Sequence, residues 1–375
     1  MSTSVNTKQK KKRIVYLDYL RALAIITVIL FHIFRRIGYV AYPEYALFPS
    51  LNWWVAEFLG TCCRCGVDIF LMLSGALSLG RVWDIRSFLG KRIPRIVMPF
   101  LFWGFVLSVL VTLIVIFYPP SVAIFKAYSF RIIKGMDILS FLRFLGDAYM
   151  ANNKWFGPYW FFWMILGTYL IMPIFNKWIY NSSLREVEYF LAFWLITCIF
   201  DYTLFIQFPI KLTYFSGPIG MVVLGYYLRH TDREIFNSLR NSIILLVGSI
   251  VIFMLACYLV STPAKIVMFD RYSIFLALEV AGIYLVYKNI DKKNINIFQK
   301  EDGFLRRSSF SIAKYSYGIY LIHQVIMNFL IIIFLHMLPY KVTMLVLFVG
   351  TLGISWLVMA LLNRVPYINR VIGAK

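Results

Sequence analysis

The sequence predicts an all-α membrane protein, a polytopic bundle of about ten transmembrane helices. Hydrophobic residues make up 61% of the 375 residues and charged residues 15%, whereas soluble domains contain about 45–50% apolar and about 25% charged residues. The apolar residues are gathered in long segments. This composition excludes a soluble enzyme with one buried core, a disordered chain and a small disulfide-stabilised domain.

The ten apolar segments are each close to the length that crosses a bilayer as a helix, although the sixth is short. In chain order they cover residues 14–36, 53–79, 95–118, 157–176, 189–206, 214–228, 243–261, 271–288, 312–336 and 342–363. A basic run precedes the first segment, as in a signal peptide. Phe34-Arg35-Arg36 follows its apolar core instead of small residues, so we expect an uncleaved first span.

The distribution of charge predicts the orientation of the bundle. The chain contains 38 Lys and Arg against 17 Asp and Glu, for a net charge of +21. With the N-terminus inside, about 25 basic residues lie at cytoplasmic positions and about 11 lie outside, as the positive-inside rule requires. We therefore expect a basic cytoplasmic tail at 1–13, a transmembrane domain at 14–364 and a cytoplasmic tail at 365–375. This placement explains the basic excess without a nucleic-acid partner.

The connection at 119–156 is longer than the others, and we expect it to lie outside the cell. It carries several basic residues and leads into the aromatic run from Trp155 to Trp160. Aromatic residues of this kind collect where a membrane meets water. The loop therefore either covers a site or rests on the membrane interface.

The five cysteines match neither a zinc-binding pattern nor a disulfide framework. Cys62, Cys63 and Cys65 lie together at one helix end, and Cys198 and Cys257 lie inside apolar runs. We expect all five to be buried or lipid-facing thiols, and no metal site.

The first span carries a polar stripe. Asp18, Arg21 and His32 lie in it, and eleven residues at about 100° each bring Arg21 and His32 to within about 20° of one helix face. The stripe rises about 16 Å from Arg21 to His32. An ion pair near the headgroups and a hydrogen-bonded histidine would be a structural explanation. Because a histidine titrates near neutral pH, alignment with two other ionisable groups favours His32 as a proton-transferring residue.

Four further polar residues are candidates for lining a cavity between the helices: Asp68, Glu279, His323 and Trp160. Asp68 follows Arg64 by four residues, a spacing that favours a structural ion pair on one helix face. Glu279 and His323 lie midway through apolar segments. Each either lines a cavity or forms a hydrogen bond between helices.

The third span is predicted to open with Lys91-Arg92-Ile93-Pro94-Arg95. Arg92 and Arg95 share a helix face, and Pro94 is tolerated in a first helical turn. Together with the positive end of the helix, the two arginines would form a cytoplasmic anion site. Basic residues at a cytoplasmic helix start are also ordinary orientation signals.

In combination, these motifs resemble the acyltransferase 3 family of integral-membrane O-acyltransferases. The family signature of Arg or Lys, ten residues and then His is similar to Arg21 and His32. Its Arg-x-x-Arg element resembles Arg92 and Arg95. Three further family motifs are similar to Gly66–Gly75 (GVDIFLMLSG), Tyr159–Phe161 (YWF) and Gly318–His323 (GIYLIH). In this order the motifs cover most of the chain.

The resemblance implies transfer of an acyl group, usually acetyl, from acyl-coenzyme A to a hydroxyl of a cell-surface glycan or lipid-linked sugar. It implies a multi-pass protein of a bacterial cell membrane. The chain ends just after its tenth predicted span, so it looks like the membrane-only branch of the family, similar to enzymes that acetylate enterobacterial common antigen. Other members carry an appended extracellular domain.

Residue roles follow from the resemblance together with the chemistry of acyl transfer. His32 would be the general base that takes the hydroxyl proton. Arg21 would hold the pantetheine arm or stabilise negative charge, and Asp18 would hold Arg21 in place. Arg92 and Arg95 would bind the coenzyme's phosphates on the cytoplasmic side.

A secondary transporter of an anionic metabolite or lipid-linked sugar is the alternative interpretation, since it too would need charge inside the membrane. Many transporters contain two matched halves with interrupted helices at corresponding positions. The first and last five predicted spans show no such match, which favours the enzyme.

Overall fold

A computed structural model of the chain describes residues 14–36, 58–117, 137–206, 208–260, 269–293, 303–334 and 337–374. These residues form an all-α bundle of eleven helices and several short helical turns, with no β-strand among them. The helices are α1 Val15–Arg36, α2 Cys65–Ser78, α3 Ile85–Phe117, α4 Ile138–Tyr149, α5 Trp160–Asn181, α6 Leu184–Ile199, α7 Pro218–His230, α8 Leu239–Val260, α9 Ile274–Lys292, α10 Phe304–Phe334 and α11 Tyr340–Leu362. The predicted all-α fold is confirmed.

Eight of the described helical segments are long and apolar enough to cross a membrane. They include α1, α3, α5, α6, α8, α10 and α11, and a segment at Gly60–Ser78 that contains α2. The other two predicted spans, at 214–228 and 271–288, correspond to α7 and α9, which are not among these eight. Helix α7 has 13 residues, about 20 Å of helix, and α9 carries charged residues at its end. Because both are packed among other helices, they do not need a lipid-compatible surface. The count of ten spans stays a prediction.

Helix α3 begins earlier than the sequence predicts. It starts at Ile85, where the Asp84 carboxylate accepts a hydrogen bond of 2.9 Å from the Ser87 backbone N–H. Arg92 and Arg95 therefore lie in the body of the helix, and Pro94 is an interior proline. The expectation that they lie at the positive helix end is wrong. Hydropathy marks only the part of a helix that meets lipid, so it misses a polar first section.

The second span is interrupted inside the bundle. A short turn of helix at Gly60–Cys62 precedes α2, and Arg64 is the residue at the start of α2. Non-helical backbone at membrane depth is tolerated where it is buried in protein or lines a cavity. The interruption allows Arg64 to point into such a cavity, described below.

Helix α1 lies at the centre of the bundle, where it packs against α2, α9, α10 and α11. The closest crossing in the fold is between α2 and α7. A Cβ atom added to Gly75 would lie 1.8 Å from the Val222 carbonyl oxygen, and one added to Gly225 would lie 2.1 Å from the Met72 carbonyl oxygen. Each glycine therefore accommodates the backbone of the opposite helix, a common device in membrane bundles.

The predicted tail at 1–13 lies outside the described residues, as does the first part of the 119–156 loop. The described part of that loop contains α4 and the segment 150–156. The Asn153 side-chain oxygen accepts hydrogen bonds of 3.1 Å from the backbone N–H groups of Trp155 and Phe156, whose side chains are fully buried. At the other end of the chain, Ile372 is buried, and its carbonyl oxygen accepts a hydrogen bond from the Trp103 indole.

Candidate active site

One cavity, which we call the arginine cavity, has a volume of about 790 Å³ including the part that is open to solvent. It lies between α1, α2, α3, α5 and α10. Its lining consists of three arginines and a mixed polar and apolar wall: Arg21, Phe70, Leu73, Ser74, Leu77, Arg92, Arg95, Ile96, Phe161, Ile165, Tyr169, Ser316, Tyr317 and Tyr320. Three guanidinium groups in one cavity make a binding site for an anion with several charged oxygens.

Neighbouring groups hold two of these arginines in place. The Asp18 carboxylate accepts a hydrogen bond of 2.9 Å from the Arg21 guanidinium. Arg92 donates to the Ser78 hydroxyl at 2.8 Å, and its guanidinium lies 5.7 Å from the centre of the Phe88 ring. The expected role of Asp18 as the partner of Arg21 agrees with this geometry.

The electrostatic environment near the arginine cavity is positive. Arg81 lies in the connection between α2 and α3, outside the spans. Burial and the nearby positive charges of Arg229 and Arg92 lower the pKa of its guanidinium. A cluster of like charges raises the local concentration of anions, so this end of the bundle favours a negatively charged ligand.

A second cavity, the central chamber, has a volume of about 450 Å³. It is lined by Val28, Phe31, His32, Cys63, Arg64, Val67, Trp160, Arg271 and Tyr320. The Arg271 guanidinium lies 3.7 Å from the centre of the Trp160 ring. Arg64 donates a short hydrogen bond to the Phe269 carbonyl oxygen. The chamber therefore combines a possible base, His32, with two cationic donors.

A third cavity, the loop cavity, has a volume of about 560 Å³ and lies on the far side of His32. Its lining residues are His32, Arg36, Ala151, Asn152, Asn153, Lys154, Gly157, Pro158 and Gln324. Arg36 donates a hydrogen bond of 3.1 Å to the Lys154 carbonyl oxygen, which ties the loop to α1. The described end of the long loop thus forms a wall of a cavity that contains His32.

The three cavities follow one another along α1 and α10. Tyr320 lines both the arginine cavity and the central chamber, and His32 lines both the central chamber and the loop cavity. The wall on α10 includes Ser316, Tyr320 and Gln324, which are spaced four residues apart and so share one helix face. The Tyr320 hydroxyl donates a hydrogen bond of 2.6 Å to the Pro158 carbonyl oxygen. The cavities therefore form a sequence from the arginines to His32 and on to the loop.

Arg21 and His32 face this sequence of cavities at different points. Arg21 lines the arginine cavity, and His32 lines the other two. Their separation along α1 is about 16 Å. One small reacting group therefore cannot contact both side chains, and Arg21 belongs with Arg92 and Arg95.

The structural ion pair expected between Arg64 and Asp68 does not form. Asp68 is completely buried and neither of its carboxylate oxygens has a hydrogen-bond partner, while Arg64 is bonded to the Phe269 carbonyl. The Arg64 guanidinium binds the Phe269 carbonyl oxygen from another segment instead of the carboxylate on its own helix.

Of the four polar residues that the sequence predicts to line a cavity, one lines one of the three cavities and three do not. Trp160 lines the central chamber. Asp68, Glu279 and His323 are buried and line none of the three cavities. The ring of His323 lies 5.3 Å from that of His32, centre to centre. His323 therefore stands next to the candidate base, behind the cavity wall.

The sequence-based interpretation missed Arg271 and Tyr320 as site residues. Arg271 opens the segment predicted as the eighth span, where a basic residue has the appearance of an interface anchor. Tyr320 lies in a motif quoted above, but a tyrosine in an apolar span gives no signal of its own. The one available signal was the four-residue spacing of Ser316, Tyr320 and Gln324, which puts three polar side chains on one face of α10.

Comparison with known proteins identifies the family of the chain. A sequence model of the acyltransferase 3 family, described as an acyltransferase domain, matches residues 14–360. No curated protein and no solved structure matches the chain significantly. Members of the family transfer acyl groups to groups such as hydroxyls, which favours the enzyme over a transporter. The chain therefore belongs to the acyltransferase 3 family and is a membrane O-acyltransferase.

Proposed function

We propose that the protein transfers an acetyl group from acetyl-coenzyme A to a hydroxyl of a cell-surface glycan or lipid-linked sugar in a bacterial cell membrane, with His32 as the general base. The observation that carries this proposal is that the three cavities share lining residues, Tyr320 between the first two and His32 between the last two. Three arginines line the first cavity, His32 lines the second and third, and the described end of the long loop lines the third.

The donor enters from the arginine cavity. Arg92 and Arg95 bind the phosphates of the coenzyme, since guanidinium groups form strong charge-assisted hydrogen bonds with phosphate oxygens. Arg21, held by Asp18, adds a third positive charge. The positive-inside prediction puts this cavity on the cytoplasmic side, where acyl-coenzyme A is found.

A long, thin ligand fits the distance between the arginines and the base. The distance from Arg21 to His32 is about 16 Å along α1, and Tyr320 lies between them as a wall of both the first and the second cavity. The pantetheine arm of coenzyme A is a flexible chain that extends from the phosphates to the thioester. It would pass Tyr320 and bring the thioester carbon into the central chamber.

The acceptor enters from the loop cavity and meets the donor at His32. The walls of that cavity include the amide side chains of Asn152, Asn153 and Gln324, which can bind sugar hydroxyls. His32 takes the proton of the attacking hydroxyl, whose oxygen bonds to the thioester carbon. The carbon–sulfur bond then breaks, the thiolate takes the proton from His32, and the products are the ester and free coenzyme A.

The test incubates the purified protein with acetyl-coenzyme A labelled in the acetyl group and an extract of bacterial envelope glycans. We expect label in a glycan or lipid-linked fraction, removable by mild alkali because the new bond is an ester. A matched reaction with coenzyme A labelled only in its adenosine part should leave the glycans unlabelled. Binding of acetyl-coenzyme A without any labelled acceptor would leave the donor site in place and contradict the proposed acceptor class.

A further inference from the structure

The central chamber contains a cation that the sequence motifs do not assign to catalysis, Arg271. We propose that Arg271, held in position by Arg64, donates hydrogen bonds to the thioester carbonyl oxygen and stabilises the negative charge that develops there during acyl transfer. This inference rests on the proposed function and adds a catalytic residue to it.

The reaction needs such a group close to the base. When the hydroxyl attacks the thioester carbon, the carbonyl oxygen becomes an oxyanion, and donors stabilise it at about 2.7–3.1 Å. Arg21 has been considered for this role, but it lies about 16 Å from His32 along α1. Because the base and the oxyanion belong to one reacting centre, the donor must share the chamber of His32.

Arg271 meets this requirement. Its guanidinium lies against the face of Trp160 at 3.7 Å from the ring centre, and both residues line the chamber that contains His32. A guanidinium carries five N–H donors in a rigid plane. No side chain or backbone acceptor among the described residues takes a hydrogen bond from Arg271 within ordinary distance. These donors are therefore available to a ligand.

The segment that carries Arg271 is held by contacts on both sides. Arg64 donates to the Phe269 carbonyl oxygen, two residues before Arg271. The Asp270 carboxylate accepts a hydrogen bond of 2.9 Å from the Tyr272 backbone N–H, and the Tyr272 hydroxyl contacts the Met164 sulfur at 3.1 Å. A donor that is fixed before the reaction costs little reorganisation in the transition state. Arg64 is therefore a positioning residue.

Asp68 lies near the two cations of the chamber without pairing with either. Its buried carboxylate is close enough to Arg64 and Arg271 to interact electrostatically with both, but neither of its oxygens forms a hydrogen bond. Its two oxygens therefore occupy none of the Arg271 donors.

His32 and Arg271 together account for every proton and electron pair that moves during acyl transfer. The hydroxyl oxygen forms the new bond to the carbonyl carbon, its proton moves to His32, and the electron pair of the C=O bond moves to the oxygen that Arg271 binds. When this electron pair re-forms the C=O bond, the carbon–sulfur bond breaks and the thiolate receives the proton from His32. Arg271 keeps its own protons throughout.

The test compares Arg271→Gln and Arg271→Lys with the parental protein, and uses Arg240→Gln at an exposed position of α8 as a matched control. Losing one oxyanion donor typically lowers kcat by about 10²- to 10³-fold. We expect a loss of that size for Arg271→Gln and a smaller loss for Arg271→Lys, with unchanged affinity for acyl-coenzyme A. Arg64→Gln should lower kcat by less than Arg271→Gln, because it acts through position.

A second measurement covers the case in which these variants fold poorly. In Arg271→Ala, a low, non-denaturing concentration of guanidinium ion should restore part of the lost kcat, because the small cation fills the vacated position. Rescue of this kind is specific to a missing guanidinium, and a merely structural role would not produce it. Methylammonium, which lacks the planar donors, should restore less.

Three results would overturn the inference. If Arg271→Gln keeps the parental kcat, the residue does not stabilise the oxyanion. If it raises the KM for the acceptor alone while kcat is unchanged, the arginine binds an anionic acceptor instead. A parental protein that binds no acyl-coenzyme A would overturn the proposed function and this inference together, whereas parental transfer with undiminished Arg271 variants would overturn this inference alone.

Discussion

The imidazole rings of His32 and His323 lie 5.3 Å apart between centres, with their planes at 40°. His323 is completely buried, and its Nδ1–H donates a hydrogen bond of 2.6 Å to the Tyr320 carbonyl oxygen. Its Nε2 has no partner among the described residues and is therefore left as an acceptor. The ring of the second histidine thus lies next to that of His32 and carries an unused hydrogen-bond acceptor.

Replacing His32 by glutamine should abolish most of the activity without abolishing donor binding. Glutamine keeps much of the size and hydrogen bonding of the side chain but cannot take the proton of the hydroxyl. General-base catalysis contributes about 10²- to 10⁴-fold, so kcat should fall by a factor in that range. Steady-state kinetics with labelled acyl-coenzyme A measure the change. His230→Gln, at an exposed position of α7, is the matched control. Near-parental turnover in a well-folded His32→Gln protein would make His32 a packing residue.

His323→Gln should lower kcat through His32 rather than independently. Misplacing a catalytic group by about 1 Å costs roughly a hundredfold, so we expect a loss up to that size and smaller than that of His32→Gln. Residues that act as one unit have non-additive effects. The His32→Gln/His323→Gln double variant should therefore be about as slow as His32→Gln alone. Losses that multiply in the double variant would assign His323 a separate role.

Arg92→Ala or Arg95→Ala should raise the KM for the donor more than it lowers kcat. Binding of the phosphates is nearly equal in the ground and transition states, and one charge-assisted contact contributes about 1.5–3 kcal/mol. Donor affinity should therefore fall by about ten- to a hundredfold, as measured by direct binding and by KM. Arg86→Ala, at an exposed position of the same helix that lines no described cavity, should have little effect. Unchanged donor affinity in correctly inserted variants would remove these arginines from the donor site.

Single cysteines should report the two sides of the membrane. In a background without the five native cysteines, a cysteine replacing Leu139 in α4 should react with a membrane-impermeant thiol reagent in intact cells. One replacing Lys293, after α9, should react only after the cells are opened, because the positive-inside rule puts this end in the cytoplasm. The reverse pattern would overturn the predicted orientation.

Gly75→Ala should destabilise the bundle. Its new Cβ would meet the Val222 carbonyl oxygen at 1.8 Å, so α2 and α7 would have to separate, and such overpacking costs about 1–3 kcal/mol. The midpoint of thermal unfolding in detergent should fall. The same substitution at Gly248, where a Cβ meets no atom within 4 Å, should leave the midpoint unchanged or raise it. Equal midpoints for the two variants would contradict the close crossing.

Composition and periodicity were sufficient for the fold class, and they singled out several residues of the candidate site. Long apolar runs predict membrane helices because backbone polar groups must be satisfied inside lipid. The stripe of Arg21 and His32 follows from the helical repeat alone, since both residues lie on the same element. The resemblance drew attention to Arg92 and Arg95, which the structure brings into one cavity with Arg21.

The beginnings of the helices were less predictable. Hydropathy located α3 from residue 95, but the helix begins at Ile85, because a polar first section contributes nothing to an apolar window. The sequence also did not reveal that Arg64 binds the Phe269 carbonyl oxygen instead of Asp68. A spacing of four residues allows contact on one helix face, but an acceptor from another segment can compete for the donor.

The sequence by itself determined the membrane class, most of the spans and the polar face of α1. Only the tertiary structure decided that Arg271, more than 230 positions after His32 in the chain, lines the same chamber, and that His323 lies behind the candidate base. Helical periodicity describes one helix at a time. Which helices meet depends on close approaches such as that of Gly75 with Val222, and these are set by packing over the whole bundle.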